Sequence, residues 1–140
     1  MAVGSTIDVR QHLIKSGWNA VSARHLTRDP QSYQAFIRDS KAEFSVAKHG
    51  YVTTQCGWFS DRSAGYLASG RPVVVQDTGF SRFLPYGRGL LPFRSRAEAV
   101  DALRRLDHDY SGHCRAARAI AEEHFDARLV LGRLLEESLA

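Results

Sequence analysis

The run Ser60-Asp61-Arg62-Ser63 sets a hydroxyl, a carboxylate, a guanidinium and a second hydroxyl in consecutive positions. Ser60 suits the N-cap of a helix, whose first-turn N–H groups then face any anion placed before it. Arg62 adds fork-like donors that match phosphate oxygens, and the helix dipole reinforces them. A second polar group, Gln76-Asp77-Thr78-Gly79, follows the uninterrupted β-branched run Val73-Val74-Val75. Such a run suits a strand covered on both faces, and open α/β sheets place ligand contacts at the carboxyl ends of such strands. Together the two segments predict a cleft for a diphosphate or a hydroxylated ligand, built from Ser60, Asp61, Arg62, Ser63, Gln76, Asp77, Thr78 and Gly79. The competing structural readings are an ordinary helix cap at Ser60 and a plain strand-exit turn at 76–79.

Weaker candidates surround this pair. Trp58 and Phe59 are candidates to stack on a nucleobase or line the cleft, with core anchors beneath the loop as the equal alternative, and Phe59 reads better as such an anchor. His49, beside Lys48, follows an earlier strand and is a candidate base or phosphate contact. Asp107-His108-Asp109 repeats a D-x-D metal pattern, but at the end of an amphipathic helix, where a solvated helix end is expected. His108, His113, Cys114 and His124 lack zinc spacing, so no metal is expected. Gly87-x-Gly89 lacks the third glycine of a dinucleotide fingerprint, and no Walker A, G-x-S-x-G or H-E-x-x-H pattern occurs. No catalytic residue is assigned.

Alternating strands and helices must position these groups. Residues 6–16 predict a helix with Val9 and Leu13 on one face, and Gly17 stops it. Trp18 to Ala23 reads as a strand, and Asp29-Pro30 as a helix start leading to buried Tyr33, Phe36 and Ile37. Glu43 to Ala47 is the next strand, Lys48 to Phe59 a loop, 61–69 a helix and 72–76 the best strand. Gly89 to Phe93 is a last short strand. Ser95-Arg96-Ala97-Glu98 is a capping box, followed by Ala99, Leu103, Leu106 and Tyr110 at helical spacing. Helices over 111–124 and from Asp126 complete the chain, the last carrying Val130, Leu131, Leu134 and Leu135 inward. The pattern predicts an α/β, Rossmann-like parallel sheet over 1–94 with a helical extension over 95–140. Because the chain opens on a helix, that sheet is expected to lack its first strand.

With 140 residues, 44% hydrophobic and 24% charged, the chain is sized for one domain with a real core. The net charge of +4 is spread among interspersed acids and bases, which suits an anionic ligand and argues against nucleic acid. Cys56 and Cys114, without a secretory leader, predict reduced thiols and a cytoplasmic location. No apolar run approaches the roughly 20 residues that span a bilayer.

Leu67, Ala68, Gly70, Pro72, Val73, Val74, Asp77 and Gly79 of GYLASGRPVVVQDTGF resemble the C-terminal, nucleotide-sugar-binding domain of GT-B fold glycosyltransferases. The longer run EFSVAKHGYVTTQCGWFSDRSAGYLASGRPVVVQDTGF, with the closing HCRAARAIAEEHFDARLVLGRLL, is similar to a bacterial group-1-like branch that keeps F-S-D-R-S. The resemblance implies a donor site for an NDP-sugar without a metal, a partner N-domain or another chain across a cleft, and transfer to an unspecified acceptor. It also implies departures. Gly57 and Gly65 stand where many retaining members carry glutamates, with Asp61 the nearest carboxylate. The usual diphosphate clamp would follow the strand that this chain lacks, leaving Arg62 to take over. The isolated chain is therefore expected to transfer sugar weakly or not at all. The alternative is a non-catalytic remnant that binds a nucleotide or a protein. A receiver-like module would need an acidic cluster and a lysine that the sequence does not offer.

Overall fold

The computed structural model describes residues 2–3 and 7–139. The chain forms two compact units, Met1–Asp39 and Ser40–Ala140. In the first, β1 (Ala2–Val3) precedes α1 (Ile7–Lys15), and β1 pairs in parallel with β2 (Val21–Ser22). The chain therefore opens on a strand, not on a helix. The strand expected over Trp18–Ala23 shrinks to Val21–Ser22, because Ala23 already begins α2 (Ala23–Leu26). Next comes α3 (Pro30–Asp39), with proline in its first position and the Asp29 carboxylate accepting from Ser32 N at 2.7 Å. It buries Ile37, while Tyr33 and Phe36 are half-buried.

The single sheet expected over 1–94 forms instead as two, the β1-β2 pair and an open three-stranded parallel sheet in the second unit. The elements of that second unit are β3 (Glu43–Ser45), α4 (His49–Thr54), α5 (Asp61–Ala68) and β4 (Val73–Gln76). A 3₁₀ turn (Phe80–Arg82), β5 (Leu90–Phe93), α6 (Arg96–His108), α7 (Tyr110–His124) and α8 (Ala127–Leu139) follow. The strands lie in the order β3-β4-β5, all parallel, with Val74 opposite Phe44 on one side and Leu91 on the other. Val73, Val74 and Val75 are all buried, as a central strand covered on both faces requires. Val74, Leu91 and Phe93 pack with Ala99, Ala102 and Leu106 of α6. Toward the other face, α5 and α7 pack on each other and touch β4 and β5 respectively. Pro92 is tolerated because β5 is an edge of this sheet.

Three expectations need correction. Lys48–Phe59 is not all loop: α4 forms in it, with the Thr53 and Thr54 hydroxyls donating to carbonyls one turn back. Its β-branched and glycine content disfavours a helix only weakly, and the Thr53 and Thr54 hydroxyls bond within the turn without breaking it. In α6 the buried stripe runs through Ala99, Ala102 and Leu106, while Leu103 is exposed. In α8, Val130, Leu131, Leu134 and Leu135 do not point inward; all are 47–60% exposed. Periodicity marks an apolar face but does not say what covers it.

Strand β5 and helix α7 meet at Gly89 and His113. The Gly89 amide donates to His113 Nδ1 at 3.1 Å, and the ring is buried. Burial, helped by the Arg88 and Arg105 charges against the opposing Asp109, holds this imidazole below its ordinary value. The folded state therefore resists a proton that the unfolded chain accepts near pH 6.5. The stability due to neutral His113 is complete above that pH and is lost as the pH falls toward the lower folded value. Urea midpoints should accordingly fall between pH 7.5 and 5.5. They should fall less in His113→Gln, which keeps an acceptor but cannot titrate; equal slopes would refute the assignment.

Candidate functional site

At the carboxyl ends of β3 and β4 lies a cavity of about 220 Å³. Its polar rim comes from Ser45, Lys48, Ser60, Arg62, Ser63 and Gln76, and its aromatic wall from Tyr51, Trp58, Phe59 and Phe80. Parallel pairing puts both strand ends on the same side, and the start of α5 closes the rim. The fold thus brings together most of what the sequence singled out.

Ser60 caps α5 as expected: its Oγ accepts from Arg62 N at 3.3 Å. Asp61 Oδ1 accepts from the same amide at 2.8 Å and receives the Ser60 hydroxyl at 3.3 Å. Asp61 is therefore turned to its own helix start and does not line the cavity, and one first-turn amide expected to face a ligand is already engaged. Ser63 is buried at the cavity wall. Arg62 is held from β3: its Nε donates to Glu43 Oε1 at 2.6 Å and one terminal nitrogen donates to Ser45 Oγ at 2.8 Å.

The second predicted segment divides. Gln76 faces the cavity, its Oε1 accepting from Ala47 N at 3.1 Å and tying the exits of β3 and β4 together. Thr78 also lines it, its hydroxyl donating to the Trp58 carbonyl at 2.5 Å while Gly57 N donates to the Thr78 carbonyl at 2.8 Å. Asp77 goes elsewhere. Its buried carboxylate accepts from Gly79 N, Ser81 Oγ and Arg94, and it lines a second cavity with Tyr86, Pro92 and Glu98. Burial pushes its pKa up, but the Ser81 hydroxyl, the Gly79 amide and Arg94 outweigh that and hold it below the ordinary carboxylate value. Gly79 takes φ +99 within this turn, and a Cβ there would meet the Gln55 carbonyl at 2.8 Å. Gly79 is thus a turn residue and does not line the main cavity.

Of the weaker candidates, Trp58 lines the cavity and stacks on Tyr51 with centroids 5.2 Å apart, while Lys48 Nζ lies 5.7 Å from the Tyr51 ring centre. Phe59 packs on Phe80 and Phe125, the anchor role read for it. His49 opens α4 as an exposed residue and does not line the cavity. Asp107 pairs with Lys41, and Asp109 caps α7 while pairing with Arg88, which makes this D-x-D a helix junction. Among the described residues no cluster of three or more His, Cys, Asp or Glu could hold a metal ion. Nor is any described helix long and apolar enough to cross a membrane. Both cysteines are free thiols.

Sequence reasoning passed over Glu43 and Tyr51. Glu43 carried a usable signal, since a carboxylate at the start of a strand that pairs with a buried neighbour needs a partner. Tyr51 carried none while its segment read as loop.

Compared with known proteins, the chain matches the sequence model of the glycosyl transferase-like family over residues 2–135. No curated protein and no protein of solved structure matches it.

Proposed function

Since the chain belongs to the glycosyl transferase-like family, we propose that the cavity at the β3 and β4 exits binds the nucleoside diphosphate part of an NDP-sugar donor. The unit is then the donor half of a GT-B type transferase, and a facing domain or second chain supplies the acceptor and any catalytic group. One observation carries this reading: two cations, Arg62 and Lys48, share a single cavity with the Tyr51–Trp58 aromatic pair and the hydroxyls of Ser60 and Ser63. Cations and hydroxyls suit a diphosphate, and an aromatic wall suits a nucleobase. A volume near 220 Å³ is below that of a site enclosing a whole drug-sized ligand, so the donor's sugar extends beyond it. Such a site assists transfer by fixing the donor and stabilising charge on the leaving diphosphate, here through side chains without a metal.

The test is direct. UDP, GDP and ADP are titrated in a Trp18→Phe background, which leaves Trp58 as the sole tryptophan reporter. One of them should quench Trp58 emission, and Arg62→Ala should weaken that ligand by about tenfold or more, since charge-assisted contacts contribute roughly 1.5–3 kcal/mol. No response to any of the three at 10 mM, a concentration set by weak millimolar affinity at ~4 kcal/mol, would sink the reading. A second reading, a nucleotide-binding remnant without transfer chemistry, is favoured by the absence of any carboxylate among the described residues lining the cavity. Binding without turnover of the cognate NDP-sugar in the presence of the facing domain would select it.

A further inference from the structure

We propose that Glu43 is a positioning residue, which aims the Arg62 guanidinium into the cavity and so governs how tightly a diphosphate is held. The inference rests on the diphosphate reading of that cavity. Glu43 and Ser45 alternate on β3 and share one face of the strand. They grip adjacent nitrogens of Arg62, Nε at 2.6 Å and a terminal nitrogen at 2.8 Å. A guanidinium is planar and rigid, so fixing one edge fixes the direction of the whole group. Arg62 and Ser45 line the cavity, whereas Glu43 lies behind them with its side chain only 4% exposed.

The pair is poorly built for stability. Glu43 Oε2 is buried without a hydrogen-bond partner, and the Arg62 side chain is 48% exposed. Desolvating a carboxylate while leaving one oxygen unmet is costly, and attraction to a half-exposed partner is screened by water. An apolar or amide side chain would occupy the start of β3 at lower cost. What the carboxylate provides instead is orientation, which matters where a rigid fork must meet phosphate oxygens. The opposite effect is also physically available. If Glu43 merely neutralised Arg62, removing its charge would strengthen anion binding.

The experiment is a double-mutant cycle on the full chain, with inorganic pyrophosphate and UDP titrated calorimetrically into wild type, Glu43→Gln, Arg62→Gln and the double variant. Glu43→Gln should weaken both ligands roughly tenfold, and the double variant should bind no worse than Arg62→Gln alone, as coupled residues do. The urea midpoint of Glu43→Gln should be no lower than that of wild type, and the Arg62 Nε–H resonance, which the bond to Glu43 should protect from exchange in wild type, should lose that protection in Glu43→Gln. Unchanged or tighter binding by Glu43→Gln, or additive losses in the cycle, overturns the proposal. If Glu43→Gln does not fold, Glu43→Asp replaces it. That change keeps the charge but draws the carboxylate back from Arg62 Nε by one methylene without touching the cavity lining, so it should weaken pyrophosphate by a few fold, and unchanged binding is again fatal. A wild type that binds neither ligand brings down the cavity reading and this role together. A wild type that binds, with insensitive variants, brings down the Glu43 role alone.

Discussion

Gly89→Ala should be among the most destabilising single changes in the chain, costing about 2–5 kcal/mol. Two independent effects add at this position. The residue sits at φ +74, where a Cβ is strained by roughly 1–2 kcal/mol. The added Cβ would also lie 2.3 Å from Ala117 N and 2.7 Å from Ala116 C, both backbone atoms of α7 that cannot rotate aside. Overpacking of this kind costs a further ~1–3 kcal/mol because helix and strand must separate. The same separation stretches the bond from Gly89 N to His113 Nδ1 in a buried setting. Against a total stability of about 5–15 kcal/mol, this leaves a marginal fold. Urea unfolding at pH 7.5 checks it, and a loss under 1 kcal/mol would mean that α7 moves more freely than its packing implies. Gly87→Ala is the control, since it has similar backbone strain (φ +103) and nothing within 4 Å of the added carbon.

Asp77→Ala should cost about 3 kcal/mol, and it should also reach the cavity that Asp77 does not line. The carboxylate is 2% exposed and accepts from Gly79 N at 2.9 Å and Ser81 Oγ at 2.8 Å, bonds of the charged kind that contribute roughly 1.5–3 kcal/mol each when buried. The Arg94 contact adds little, because that side chain is 70% exposed. Loosening this turn frees Thr78, whose hydroxyl holds the Trp58 carbonyl, and Arg82, which holds the Gln55 carbonyl. Nucleotide-induced quenching of Trp58 should therefore weaken as well. Asp77→Asn should be milder, because its amide oxygen still accepts from Gly79. The pH dependence follows from the depressed pKa. The contribution of Asp77 is complete above the unfolded value near 3.9 and is lost as pH falls through the lower folded value. The gap between wild type and Asp77→Asn in urea midpoint should thus be full at pH 7 and narrow below pH 4; a gap independent of pH would mean that the charge contributes nothing.

The short-range chemistry of this protein was legible in its residues. Ser60 and Ser95 cap the helices they were expected to cap, accepting from Arg62 N and Glu98 N. Val73–Val75 form the central strand, and Pro30 starts a helix. These features are decided within a few positions along the chain, where cap, turn and β-branched preferences act directly. The direction of the polar side chains at the strand exits was not legible. Asp77 and Gln76 are neighbours in sequence, yet Gln76 faces the main cavity and Asp77 turns to Arg94, because successive strand residues point to opposite faces.

By itself, then, the sequence determined that a parallel α/β unit with a polar cleft would form, since periodicity and capping are local properties written into residue order. Only the tertiary structure decided that Arg62 would be gripped by Glu43, nineteen residues earlier, and that Tyr51 would join Trp58 on a helix where a loop was expected. It also left the apolar stripe of α8 exposed. Such meetings depend on strand register and on which surfaces remain to be covered, and neither is encoded within any one segment.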